Sequence, residues 1–405
     1  MEKYFHKNFK PDSGTAGFFL SILFWGTAAG CFAAVLNNYL ADMRHVNEFE
    51  RGILEFFREL PGLLLVFILI FMHRLSDWKI LKAGTLIAAA GVAGLVFSSD
   101  KILITLLITV WSTGEHILMP VRSSIAMKIA KEGSEGRSLG LVTGTMNAGT
   151  VIGSAVAAVI FYCGINHMQA TDELRLYNFT WALIILLLLA SIISIYLTKS
   201  PQEGQVKRPR LYFSRKYSKF YALELFYGAR KQIFLTFAPY VLIREYGMST
   251  SRMALLFGIC ALLNIFCAPV IGRLTDRFGY KNIMIYDTVI LFFVCLVYGY
   301  AGDFLPGSAA CAVVCLNFLL DAVISTTSMA TNIYVKDISA TPEELTSSLT
   351  TGISINHLIS ILAALAGGWI WKEYGYGILF TFAGIMAVAN TLFAMTIPSP
   401  AKNQK

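Results

Sequence analysis

The chain has 405 residues, of which 56% are hydrophobic and only 14% charged, with a mean hydropathy of +0.61. A soluble domain carries about 25% charge, so this composition excludes an ordinary water-soluble protein and points to a multi-pass membrane protein. The formal charge of +8 does not imply a nucleic-acid partner, because Lys and Arg gather in short segments between apolar runs, as anchoring to a cytoplasmic membrane face requires.

A spanning helix needs about 20 apolar residues, and twelve such runs are found. Those of the first half are 15–41, 48–72, 80–98, 102–127, 138–162 and 176–197; those of the second are 219–243, 250–272, 282–301, 308–335, 346–371 and 376–397. This is an all-α reading with two six-helix halves, 1–198 and 219–405, joined by a basic segment at 199–218 that contains Pro201, Gly204 and Pro209. Most Lys and Arg fall in the segments that share a side with the N-terminus, which puts both termini in the cytoplasm. The basic start, Met1 to Lys10, leads into an apolar run too long for a cleaved signal core, so the first helix is expected to stay as an anchor.

An ionisable side chain at bilayer depth costs at least about 2.5–3.5 kcal/mol, so such residues mark protein interior or a wet cavity. In the second run Glu48, Arg51, Glu55, Arg58 and Glu59 recur at spacings of three and four, on one helical face. Glu55, Arg58 and Glu59 are candidates for a substrate cavity, or for a structural ion-pair network. The turn that follows reads Arg74-Leu75-Ser76-Asp77-Trp78-Lys79-Ile80-Leu81-Lys82.

The fourth run contains Glu115-His116, with Pro120 and Arg122 beyond. A carboxylate beside an imidazole can pass a proton, so Glu115 and His116 are candidates for proton coupling and Glu115 for the cavity, against an interhelical hydrogen bond. Arg122, close to Lys128, reads as a residue snorkelling to the interface. Gly140, Gly144, Gly149 and Gly153 in the fifth run predict close approach of a neighbouring helix.

In the seventh run Arg230 and Lys231 are adjacent cations at mid-membrane, suited to a carboxylate or phosphate of a substrate or to pairing with acids on other helices. The tenth and eleventh runs add Asp321 as a proton carrier, Asn356 as a cavity residue and His357 as a hydrogen-bonded packing histidine rather than a proton carrier. Seven cysteines lie mostly within apolar runs and form no CxxC pair, so no metal site and no cofactor is expected. The aromatic residues are dispersed along the chain and read as packing and interface residues.

The segment Gly272-Arg273-Leu274-Thr275-Asp276-Arg277-Phe278-Gly279-Tyr280-Lys281 repeats Arg74, Leu75, Asp77 and Lys82 at one constant offset, close to half the chain. Lys128 to Gly144 likewise matches Lys336 to Gly352. Repeats of this length indicate duplication of a half. Its two glycines predict a tight charged turn. The segment resembles the cytoplasmic signature loop of the major facilitator superfamily.

That resemblance implies two pseudo-symmetric six-helix bundles, alternating access, and a latch formed by Arg74, Asp77, Gly272, Arg273, Asp276, Arg277, Gly279 and Lys281. The function expected is secondary active transport of a small polar or anionic solute, coupled to protons, by a monomer in a bacterial cytoplasmic membrane. The alternatives are efflux of amphipathic drugs or lipids, and a membrane-embedded enzyme or ligand sensor. The sequence shows no catalytic cluster at one interface, no soluble output domain and no GxxxxGK loop for ATP. The partners expected are the solute, the coupling proton and the bilayer.

Overall fold

The structure is a computed structural model and describes residues 8–11, 14–72, 75–168, 172–196 and 213–399. The described residues form α1 (Thr15–Asn38), α2 (Glu48–Leu63), α3 (Leu65–Phe71), α4 (Asp77–Leu95), α5 (Lys101–Ile129), α6 (Glu135–Asn166) and α7 (Glu173–Tyr196), followed by α8 (Ser218–Arg244), α9 (Thr250–Phe278), α10 (Tyr280–Phe304), α11 (Gly307–Ser325), α12 (Met329–Ile338), α13 (Pro342–Tyr374) and α14 (Tyr376–Met395). Each of the twelve apolar runs is met by helix. Two of them are interrupted: α2 and α3 divide at Leu64, just after Pro61 and Gly62, and α11 and α12 divide at a 3-10 turn, Thr326–Ser328.

Ten helical segments are long and apolar enough to cross a bilayer. The two remaining runs, α2–α3 and α8, carry Glu55, Arg58, Glu59, Glu224, Arg230 and Lys231. Large apolar side chains such as Phe71, Phe266, Leu186 and Leu316 are exposed, as lipid-facing residues are in a membrane protein. The chain is an integral multi-pass membrane protein.

Local chemistry sets several helix ends. The Ser76 and Asp100 side chains accept from the Lys79 and Leu103 amides at the starts of α4 and α5, satisfying donors that have no partner within the helix. Thr341 caps α13 in the same way, ahead of Pro342. The expected turn at 272–281 is narrower than its two glycines suggested. Gly272 through Phe278 are helical, and Gly279 alone makes the break, with φ at 80°, a conformation that a side chain disfavours.

The chain divides into two compact units. The first comprises Met1–Arg44, Leu64–Arg208 and Ser249–Leu262; the second comprises His45–Leu63, Pro209–Met248 and Leu263–Lys405. In the first unit α1 and α6 interlock. A Cβ on Gly26 would meet the Met146 carbonyl and one on Gly149 would meet the Leu23 carbonyl, so small residues on both faces let the backbones touch. Gly140 and Gly144 have nothing within 4 Å, so only half of the expected glycine face is used for packing. The rings dispersed along the sequence come together here: Trp25 stacks on Trp111 at 5.3 Å, Trp111 on Phe32 at 4.3 Å, and Tyr39 meets Trp181 edge-on at 5.3 Å.

In the second unit α13 is the central helix, with α2 on one side and α8 on another. A Cβ on Gly52 would strike the Ala364 carbonyl, one on Gly368 the Glu48 carbonyl, and one on Gly228 the Asn356 carbonyl. A further core at Tyr217, Phe220, Tyr280, Tyr334 and Ile397 closes the other end of this unit.

Candidate functional site

The glycine contacts fix what the charged stripe of α2 faces. Gly368 lies against Glu48 and Ala364 against Gly52, so α2 and α13 run antiparallel. Two turns further along α2, the same register brings Glu59 opposite His357. The Glu59 carboxylate, 2% exposed, takes Nδ1 of His357 at 2.8 Å, Nζ of Lys231 at 3.3 Å and Nη2 of Arg58 at 2.9 Å. Gly228, pressed on Asn356 and Ile359, holds α8 close enough for Lys231 to reach it.

One turn earlier Glu55, fully buried, accepts from Arg51 Nη1 at 2.6 Å and from Arg58 Nε at 2.6 Å. Arg58 therefore bridges both carboxylates. Beside this network Asn356 Nδ2 donates to Glu224 at 3.2 Å. The cluster holds Arg51, Arg58 and Lys231 against Glu55, Glu59 and Glu224, with His357 adding a charge when protonated. With all three carboxylates ionised its formal charge is zero, and protonation of His357 makes it +1.

A second cluster lies in the same unit. Arg230 Nη1 bridges both oxygens of Asp287 at 2.9 Å, and Nη2 reaches Asp321 at 3.2 Å. Adjacent residues point about 100° apart on a helix, which is how Arg230 and Lys231 serve different partners. Asp287 escaped the sequence reading; as a lone acid within the apolar run 282–301 it fits the rule that flagged Asp321. His357, expected as a hydrogen-bonded packing histidine, makes its hydrogen bond to the Glu59 carboxylate.

The first unit contains Glu115 and His116. The His116 ring is buried and its Nδ1 lies 2.8 Å from the Ser112 carbonyl and 3.0 Å from the Ser112 hydroxyl. Glu115 is half-buried and acts electrostatically on Arg122. Arg122 does not snorkel: it is 7% exposed and lies over the Trp25 ring at 4.7 Å.

The signature residues differ between the repeats. Asp77 is buried and accepts from Ser124 Oγ at 2.5 Å and Lys128 Nζ at 2.7 Å, whereas Asp276 is exposed. Arg273 donates to the Pro269 carbonyl, Arg277 lies over Phe278, Lys281 is half-buried, and the nearest atom to a Cβ on Gly272 is the Met329 sulfur at 3.9 Å. Arg74 lies outside the described residues, as does most of the basic segment 199–218.

The helices are of bilayer length and hold paired charges among them. The family model of the Major Facilitator Superfamily matches residues 17–341 and 221–405. The chain belongs to that superfamily of membrane transporters. Its fold is shared with solved structures at low sequence identity. A variant of the nucleoside transporter NupG matches with a TM-score of 0.78 at 12% identity, covering 95% of this chain and 100% of that one. The D-xylose-proton symporter matches at 0.73 and 13%, covering 97% and 100%. A POT family transporter in complex with a thioalcohol-conjugated peptide matches at 0.73 and 12%, covering 94% and 95%. No curated protein sequence matches significantly.

Proposed function

We propose that this chain is a secondary active transporter of a small polar or anionic solute, working by alternating access and coupled to protons. The observation that carries the reading is Glu59 at the convergence of Arg58, Lys231 and His357. A carboxylate with an imidazole at 2.8 Å and a lysine at 3.3 Å can exchange a proton for a rearranged ion pair, which links solute occupancy to protonation. Asn356, with Arg58, Glu55, Arg230 and Lys231, offers polar contacts for the solute. Glu115, His116 and Asp321 are further proton-handling groups in the same proposal. Solved relatives in fold that are described as a proton symporter and a nucleoside transporter are in keeping with it, and the charged rather than aromatic character of the cluster favours a polar solute over an amphipathic drug.

In the same reading the halves 1–198 and 219–405 act as the two moving bundles of a monomer in a bacterial cytoplasmic membrane. Both termini and the segments around Asp77 and Asp276 are cytoplasmic, so the Glu48 end of α2 faces outward. The test is Glu59→Gln in proteoliposomes, with a metabolite panel supplying the solute. Uptake driven by a proton gradient is expected to fall at least about tenfold, equivalent to about 1.4 kcal/mol, while exchange of solute at equal pH persists. Gradient-driven uptake at the wild-type rate in that variant would overturn the assignment of Glu59.

A further inference from the structure

One pair of buried groups in the first unit plays no part in the clusters above. Arg122 on α5 is 7% exposed and Trp25 on α1 is 2% exposed. Arg122 Nη2 and Trp25 Nε1 are both buried with no hydrogen-bond partner. They are neighbours, since the guanidinium carbon lies 4.7 Å from the centre of the Trp25 ring. The other terminal nitrogen of Arg122 has only the Met146 sulfur, at 3.6 Å, and a thioether is a weak acceptor.

Among the described residues no carboxylate makes an ion pair with Arg122. Glu115, two turns back on the same helix, acts on it only electrostatically. A guanidinium and an indole are both donors without acceptor capacity, and a buried cation left unpaired is expensive. The Trp25 ring face offsets part of that cost, and the two donors left without a partner suit an acceptor carrying negative charge.

Met146 supplies a way in. It is half-buried and belongs to the face of α6 that packs on α1 through Gly149 and the Met146 carbonyl. Its backbone is thus fixed by helix packing while its unbranched side chain has three free torsions. A rotation of that side chain would take the sulfur off the guanidinium without moving a helix.

We infer that Arg122 and Trp25 form an anion subsite covered by the Met146 side chain, and that it takes a carboxylate or phosphate group. That the anion belongs to the transported solute rests on the transport reading above; that an anion binds does not. Trp111, stacked on Trp25 at 5.3 Å, backs the indole and holds its N–H in place. The charge-assisted fork of an arginine and a fixed indole donor together recognise an oxyanion better than a halide, whose single centre cannot match two separated donors.

The experiment uses the full-length chain in detergent, titrated at constant ionic strength with sodium lactate, inorganic phosphate and sodium chloride. Thermal stability and tryptophan fluorescence are recorded, and the Trp25→Phe variant isolates the signal of that indole among the six tryptophans. Lactate or phosphate is expected to give a saturable rise in melting temperature and a saturable fluorescence change, with chloride much weaker. Arg122→Gln should weaken the interaction about tenfold or more, the range for a lost hydrogen bond to a charged group. Met146→Ala should tighten it by about threefold, since a cover with a weak acceptor no longer competes.

If Arg122→Gln does not fold, Trp25→Phe and Met146→Ala decide the matter. Unchanged affinity in both overturns the subsite, as does the absence of saturation by lactate and phosphate in the unaltered chain. Solute flux without anion binding would remove the subsite and leave transport standing. Anion binding without flux would do the reverse.

Discussion

Arg230 faces two acids with one charge, and the geometry divides them unequally. Asp287 is bridged through both of its oxygens at 2.9 Å, while Asp321 is held by one contact at 3.2 Å. Removing Asp321's charge leaves a balanced pair, so Asp321→Asn should change stability by less than about 1 kcal/mol. Asp287→Asn loses the shorter contacts but leaves Arg230 paired with Asp321, so it should cost about 1.5–3 kcal/mol, the range for a hydrogen bond to a charged group. Arg230→Met leaves two half-buried carboxylates together without a cation and should destabilise by about 3–5 kcal/mol. Melting curves in detergent give the order, and equal losses from Asp287→Asn and Asp321→Asn would show that the triad is read wrongly. The rule that charges in apolar runs face the interior singled out Glu55, Arg58, Glu59, Arg230, Lys231 and Asp321 from the sequence. It could not pair them, because which carboxylate meets which cation depends on helix register across the fold. Asp287 and the contact between His357 and Glu59 became visible only with that register.

At the scale of the helix, glycine spacing announced close packing but not which glycines take part. Gly52 meets the Ala364 carbonyl, whereas Gly144 meets nothing within 4 Å, and both sit in helices. Alanine in a helix interior is otherwise worth about 0.5–1 kcal/mol over glycine. Gly144→Ala should therefore leave the melting temperature unchanged or raise it. Gly52→Ala should lower it, since the atom in the way is backbone and cannot rotate aside; the two shifts should have opposite sign. A similar contrast separates the two signature segments, which look equivalent in sequence. Asp77 is buried under Ser124 and Lys128, and Asp276 is exposed. Asp77→Asn should thus cost about 1.5–3 kcal/mol in stability, the range for a lost hydrogen bond to a charged group, since Lys128 stays 36% exposed. Asp276→Asn should cost less than about 0.5 kcal/mol, as exposed substitutions do, and any larger effect of Asp276 should appear in transport rate instead. The helical course of 272–278 was hidden because Gly272 and the charges around it look like turn residues, while the neighbouring apolar run continues the helix past them.

For the whole molecule, the helix count was legible because the apolar runs are of bilayer length; helix meets all twelve runs, although α8 is too charged and α2 both too charged and, at 16 residues, too short to qualify as a span by itself. The division into compact units was not, because it follows contacts: 45–63 packs with the later part of the chain and 249–262 with the earlier. Orientation is the property that ties the proposal together, since a proton gradient acts on a group according to the side from which it is reached. The basic residues cluster in every second connection, and the cytoplasmic face retains such residues. In the orientation proposed above, Asp276 lies on the inside and Asp303 on the outside; both are exposed, in the last turns of α9 and α10. In a background free of the native cysteines, a cysteine at position 303 should react with a membrane-impermeant maleimide in intact cells. A cysteine at position 276 should react only after the membrane is opened. The opposite pattern would invert the protein and place the Glu48 end of α2 toward the cytoplasm, so that protons entering from outside would meet Glu59 from the signature-segment side. The proposed direction of coupling would then have to be reversed, even with every ion pair in place.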